Sequence, residues 1–165
     1  MDKEQQIVGL RIGRETFGLP ISIVREIVRV PEITSVPNAP DYIEGVINLR
    51  GRIIPVVDLR KRFGEKVPEP SKKNRIVVAE VEGRMIGLLV NSASEVLRLP
   101  PSQIESPNNV FREGELDYIT GVGKLNGRLV ILLDLSRILQ RGELGQLQEA
   151  AENAAVPAGI TARDF

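Results

Sequence analysis

Few side chains in this sequence could carry out chemistry. Asp58 and Asp134 each follow an apolar run and precede a leucine. Two carboxylates brought together could share general acid and base work. An aspartate in that place also suits the N-cap of a short helix, where its side chain accepts an orphan backbone N–H. Because both occupy the same place in matching runs, capping is the stronger reading. The stretch Gly13–Gly18 has widely spaced glycines but no strand–loop–helix pattern for phosphates, and no Gly-Lys-Ser/Thr follows it. With no His and no Cys, Ser-His-Asp catalysis, thiolate nucleophiles, disulfides and the usual zinc sites are excluded. The expectation is a protein without catalysis, cofactor or metal.

The recognition chemistry is better defined. Arg50 lies at the tip of the hairpin Leu49-Arg-Gly-Arg52, whereas the corresponding tip Leu125-Asn-Gly-Arg128 holds Asn126. Asn tolerates the left-handed conformation of such a turn, and Arg gains nothing locally there. Its forked donors would suit a partner's carboxylate or carbonyls, beside the plainer role of a solvated turn residue. Glu26 recurs as Glu95, so a shared structural role and a binding role weigh alike. Val24 corresponds to the smaller Ala93, at a place where two small barrels side by side would leave an apolar seam. Such a seam suits a helix-in-groove contact, although packing inside the core is the commoner fate of a single Val or Ile.

The elements that would position these residues are short Val-, Ile- and Leu-rich runs broken by Gly, Pro and Asn, the pattern of an all-β barrel. Strands are predicted at Gln6–Ile12, Thr16–Pro20, Arg25–Val30, Gly45–Leu49 and Arg52–Val57. A second set follows at Asn74–Val81, Arg84–Val90, Glu95–Leu99, Ile119–Leu125 and Arg128–Leu133. Short helices should start after Asp58, stopping at Gly64, and after Asp134, running to about Arg141. Residues 143–155 read as helical, 156–165 as a flexible tail, and Pro68–Lys73 as a polar linker. The basic run Arg60–Arg62 reads as a solvated helix face.

An internal repeat ties the two sets together. Ile43–Phe63 matches Ile119–Leu139 at a displacement of 119 − 43 = 76, sharing Ile, Gly, Val, Leu, Gly, Arg, Asp and Leu. Gly18–Pro31 matches Gly87–Pro100 at 87 − 18 = 69, so 76 − 69 = 7 extra residues lie between Pro101 and Tyr118 in the second copy. Duplication of a five-stranded unit is expected, with subdomains of about 13–68 and 74–141 and strand 6–12 open to exchange between them. Over 165 residues, Lys+Arg and Asp+Glu are both 22 and aromatics only 4%. Neither a field for nucleic acid nor a stacking platform for bases is present. The N-terminus lacks the pattern of a signal peptide, and no apolar run reaches the roughly 20 residues of a spanning helix. A soluble, cytoplasmic protein without direct membrane insertion is expected.

The segment Ile43-Glu-Gly-Val-Ile-Asn-Leu-Arg-Gly-Arg-Ile-Ile-Pro-Val-Val-Asp-Leu59 closely resembles the signature of the CheW-like domain. Phe17-Gly18, Val24-Arg-Glu-Ile27, Pro37 before Tyr42, and Gly121-Val-Gly match as well. The resemblance spans about Gln6 to Gln140. It implies two pseudo-symmetric five-stranded SH3-like barrels over 6–141, with a short C-terminal helix. It also implies a non-catalytic adaptor recruited to chemoreceptor arrays. Such an adaptor couples methyl-accepting chemoreceptors, through their cytoplasmic hairpin tip, to the regulatory domain of the histidine kinase CheA. Family positions for receptor binding match Glu26, Arg50, Ile76, Gly87, Ala93 and Gly121. Those for kinase binding match Val24 and Gly45. Family members often carry a larger residue where Ala93 stands. A coupling protein for gliding motility or another non-flagellar output is the alternative. The Met1 start and the absence of a kinase ATP-binding region or room for a receiver domain favour a free adaptor.

Overall fold

The computed structural model describes residues 4–63, 66–106 and 118–138, with backbone alone for residues 94 and 95. The predicted segments 143–155 and 156–165, the stop at Gly64 and the reach of the last helix to Arg141 lie outside the described residues. Eleven strands form two sheets. The first half contributes β1 (Gln5–Ile12), β2 (Glu15–Pro20), β3 (Val24–Arg29), β4 (Ile43–Leu49), β5 (Arg52–Asp58) and the helix α1 (Leu59–Arg62). The second contributes β6 (Arg75–Val81), β7 (Arg84–Val90), β8 (Ser92–Leu99), β9 (Ile104–Glu105), β10 (Ile119–Leu125), β11 (Arg128–Leu133) and α2 (Leu135–Ile138).

Sheet order is β8-β1-β2-β11-β10-β9 in one layer and β3-β6-β7-β5-β4 in the other. Sheet membership therefore crosses the division at 13–68 and 74–141. The hairpins β1–β2 and β6–β7 trade places whole, each completing the sheet of the other copy. The crossings are short. Ile21–Ile23 makes a single 3₁₀ turn between β2 and β3, and Asn91 alone separates β7 from β8. Asn91 is held on three sides: its N–H donates to Arg11 O at 2.9 Å, its Oδ1 accepts from Gly13 N at 2.8 Å, and its O accepts from Asn74 Nδ2 at 3.1 Å.

The duplication is preserved in the register. β5 and β7 run parallel with Val56 opposite Gly87, and β11 and β2 run parallel with Leu132 opposite Gly18. These pairs are related by the two repeat displacements. A Cβ on Gly87 would meet Ile76 Cγ2 at 2.9 Å, and one on Gly18 would meet Ile7 Cδ1 at 2.8 Å. Both glycines let a β-branched neighbour lie across the strand. Thr34 bridges Val46 as Glu105 of β9 pairs with Val122, a displacement of 105 − 34 = 71. Of the seven extra residues, two thus precede β9 and five follow it.

Neither ladder closes: β8 and β9 are edges of one sheet, β3 and β4 of the other. The expected five-stranded barrels are thus open sheets, and the short β9 gives one of them a sixth strand. Alternate residues of the central strands feed different cores, which is why these strands read as near-continuous apolar runs. On β6, Ile76 and Val78 face the interior of their own sheet, while Val77, Ala79 and Val81 join the layer between the sheets. Ile7, Leu97, Leu99, Val130 and Leu132 fill the other interior. The inter-sheet layer is the largest cluster, so the expected apolar seam is a packed core.

Candidate partner-binding surface

The type I′ geometry of the β4–β5 and β10–β11 turns is shared. Arg50 has φ +52° and Gly51 +86°, Asn126 +51° and Gly127 +77°. Asn48 Oδ1 accepts from Gly51 N at 2.9 Å and fixes the first tip. From that tip the Arg50 guanidinium reaches back to β3 and pairs with the Glu26 carboxylate. The contact ties the two edges of the five-stranded sheet, β3 and the β4–β5 hairpin. Arg50 remains largely exposed, with 70% of its side chain accessible. The hydrogen bond to Glu26 and then its charge raise the Arg50 pKa, against slight desolvation. The guanidinium stays charged and held in one direction.

The other family-matched positions are placed differently. Val24 is half-buried at the start of β3 and packs on the inter-sheet core. Gly45 sits at a bulge between Ile43 and Gly45 with φ +147°, where a Cβ would lie 2.0 Å from Thr34 O. Ile76 is fully buried and packs against Gly87. Gly121 marks the equivalent bulge of β10, with Ile104 Cγ2 3.0 Å from where its Cβ would be. Ala93, buried at 6% exposure, lines a cavity of about 150 Å³ with Leu10, Thr16 and Arg128. The structure thus joins Glu26 to Arg50 and Ile76 to Gly87. Ala93 and Gly121 belong to the other sheet.

The two aspartates are caps and stand apart in the two halves. Asp58 Oδ1 accepts from Arg60 N at 2.9 Å, and Asp134 Oδ1 from Ser136 N at 3.0 Å. The basic run after Asp58 is not a solvated face. Arg60 is 4% exposed and folds back on Asp58 through Nε and Nη2, both at 3.0 Å. Arg62 Nη2 donates to Ile138 O at 2.9 Å, and its guanidinium stands 5.8 Å from the Tyr42 ring centroid. Lys61 pairs with Glu44 at 2.5 Å. That hydrogen bond raises the lysine pKa, partial burial opposes it, and the charges of Glu44, Asp41 and Asp58 add to the rise. The burial of Arg60 was missed because a four-residue helix has no period to read; its one signal is that the other copy has Ser136 there.

Phe17, Phe63 and Tyr118 stack at centroid spacings of 5.3 and 5.5 Å, closing the junction between sheets. Two cavities lie beside the capping aspartates. One, of about 340 Å³, is lined by residues of β6, β11 and α2, including Asp134 and Ser136. The other, of about 440 Å³, is lined by Asp58, Arg60 and the segment Val67–Asn74, among others. Among the described residues, no group of His, Cys, Asp and Glu could hold a metal ion, and no helix is long and apolar enough to cross a membrane.

Two sheets that exchange hairpins between the copies of the repeat, with a charged pair at one exposed edge, define a duplicated two-sheet β module. The CheW-like domain family matches residues 6–143, and the chain belongs to that family. It is 34% identical over 139 residues to "Chemotaxis protein CheW" of Rhizobium meliloti (strain 1021), covering 84% of this chain and 90% of that protein. It is also 34% identical over 138 residues to "Chemotaxis protein CheW" of Thermotoga maritima, covering 84% and 89%. The crystal structure of the scaffolding protein TtCheW from Thermoanaerobacter tengcongensis superimposes with a TM-score of 0.75 at 36% identity, over 87% of this chain and 96% of that one.

Proposed function

We propose that this chain is a non-catalytic chemotaxis scaffold that couples methyl-accepting chemoreceptors to the regulatory domain of the histidine kinase CheA. The observation that carries the reading is Arg50. A charged residue is kept in a left-handed turn where the second copy has Asn126, and its guanidinium is fixed by Glu26 while staying largely exposed. A long side chain already held in one direction loses less freedom when it meets a partner. Family membership and the scaffolding relative support the same role.

In this reading Arg50 and Glu26 meet the receptor's helical tip directly. Ile76 and Gly87 would set the shape of their own sheet, while Ala93 and Gly121 would contribute from the other sheet. Val24 on β3 and the Gly45 bulge on β4, at opposite edges of the five-stranded sheet, would shape its contact with the kinase regulatory domain. Repetition of such sheet-edge contacts would close kinase and scaffold into rings within a membrane-associated receptor array. An interface mixing polar and apolar contacts in this way suits a transient complex.

Co-sedimentation with receptor-containing membranes, with and without kinase, tests the reading. Wild-type protein should pellet with receptors. Arg50→Glu should pellet poorly yet keep its kinase binding. If wild-type protein stays in the supernatant, the receptor role is lost; equal loss of kinase binding in the variant would assign Arg50 to the fold. Phosphotransfer by the isolated chain would overturn the non-catalytic role.

A further inference from the structure

The two type I′ tips share a backbone but not a chemistry. Asn126-Gly127 is the one Asn-Gly pair in the sequence. Both residues are exposed, as are Lys124, Arg128 and Leu129 beside them. A glycine after asparagine leaves the intervening peptide nitrogen without a side chain to shield it, and a Cβ built on Gly127 would meet nothing within 4 Å. That nitrogen also lacks a clamp. At the first tip Asn48 Oδ1 accepts from Gly51 N at 2.9 Å. Lys124 stands at the equivalent place, 124 − 48 = 76 residues on, and its Nζ is engaged with Glu105 at 2.6 Å. Among the described residues, Gly127 N donates no hydrogen bond, and the bond that closes such a turn comes from the residue after it.

The other described asparagines are shielded or held. Asn38, Asn48 and Asn74 precede Ala39, Leu49 and Arg75, whose side chains crowd the intervening nitrogen. Asn91 precedes the small Ser92, but its Oδ1, N–H and O are all bonded. Asn126 itself sits at φ +51°, a conformation disfavoured for an L residue. An exposed tip of this kind opens locally at little cost, because what it uncovers is already in water.

We propose that Asn126 is a site of spontaneous covalent modification, deamidating through a succinimide closed by Gly127 N. The Gly127 amide gives its proton to solvent base, and the nitrogen attacks Asn126 Cγ. The N–Cγ bond forms, the Cγ–Nδ2 bond breaks, and Nδ2 leaves with a proton as ammonia. Water then opens the ring. Attack at Cγ leaves an aspartate in place of Asn126, and attack at the main-chain carbonyl carbon leaves an isoaspartate whose chain runs through Cβ and Cγ. Closure needs the Gly127 peptide to swing toward Cγ, so the reaction proceeds from the opened tip. Either product puts a carboxylate at the tip equivalent to Arg50, and the isoaspartate lengthens a turn fitted to two ordinary residues. The first tip is spared, because Arg50 has no carboxamide and Gly51 N is held by Asn48.

The test is incubation of the full chain at neutral and mildly alkaline pH in heavy-oxygen water, followed by peptide mapping. The peptide holding Asn126 should exchange its amide for a hydroxyl that carries the heavy oxygen, faster at the higher pH. Part of the product should accept a methyl group from an isoaspartate carboxyl methyltransferase. The rate should lie within about a hundredfold of that of a free peptide of residues 121–132, the range set by an easily opened tip. Lys124→Asn and Lys124→Met both remove the pair with Glu105, but only the asparagine offers an acceptor to Gly127 N. Conversion should therefore be several-fold slower in Lys124→Asn than in Lys124→Met. A native rate below that range would overturn the proposal, since the turn would then protect the site. Equal rates in the two variants would overturn it as well, as would conversion at another asparagine ahead of Asn126.

Discussion

Arg50 and Asn126 occupy equivalent hairpin tips with φ values of +52° and +51°, and Arg60 and Ser136 follow equivalent capping aspartates. The backbone is common to each pair, so the backbone does not explain the arginines. At the tip, Asn126 has the residue type that the turn prefers, whereas Arg50 reaches a carboxylate on another strand. After the caps, Arg60 is buried and folded onto Asp58 through its guanidinium, whereas Ser136 is half-buried and reaches Asp134 through its hydroxyl. Duplication supplied two copies of one scaffold, and the differences between them mark where side chains do more than hold it together.

The sharpest way to break this comparison is at the seam. Arg60→Met should cost about 3–5 kcal/mol in urea unfolding, because it leaves the Asp58 carboxylate buried without its partner. Ser136→Ala should cost less than about 1 kcal/mol, since Asp134 keeps the backbone bond from Ser136 N. Equal costs would mean the two ends are energetically alike. The bulge glycines form a second pair. Gly45→Ala should destabilise by about 3 kcal/mol, because its Cβ would strike a backbone carbonyl at positive φ. Gly121→Ala meets the Ile104 methyl at 3.0 Å, which can shift, and about 1 kcal/mol is expected.

The tips come next. Arg50→Asn should raise the melting temperature by about 2 °C, because the turn then holds the residue it prefers, while receptor co-sedimentation falls by about tenfold. Asn126→Arg should leave receptor binding as it is, since the Glu26 partner belongs to the other sheet. The charge swap Arg50→Glu with Glu26→Arg should restore the internal pair without restoring receptor binding. Recovery of binding would reduce Arg50 to a brace for β3. The smallest effect is alkaline. Lys61 has a raised pKa in the folded state, so its contribution is complete below the ordinary lysine pKa and fades as pH climbs through the folded value. Lys61→Met should flatten the stability–pH curve there by less than about 0.5 kcal/mol, the scale of a partly exposed pair.

Much of the site was legible where it depends on local geometry. The contrast between Arg50 and Asn126 needed only the repeat and the preferences of a two-residue turn, and both φ values agree. The capping role of Asp58 and Asp134 was equally local, and both accept a hydrogen bond from the backbone N–H two residues on. Glu26 was legible as a candidate, but its pairing with Arg50 spans 24 residues of sequence, a distance no periodicity encodes. Edges differed slightly: β8 starts at Ser92, three residues before the expected Glu95, because Ala93 and Ser92 pair with Leu10 and Arg11. The two-residue β9 was too short to leave a pattern of its own.

By itself the sequence determined the duplication, the turns, the caps and the alternation that makes each strand, because all of these act over a few residues or repeat at a fixed displacement. Tertiary structure alone decided that the hairpins Gln5–Pro20 and Arg75–Val90 would exchange sheets, that Ile76 and Gly87 would pack across one sheet interior, and that Arg60 would be buried while Ser136 is half-buried. The physical reason is the same in each case. Two copies of one unit offer each strand two nearly equivalent partners, and the choice between them rests on which arrangement buries both faces of β5, β6 and β7 at once, a property of the assembled layers and of no single segment.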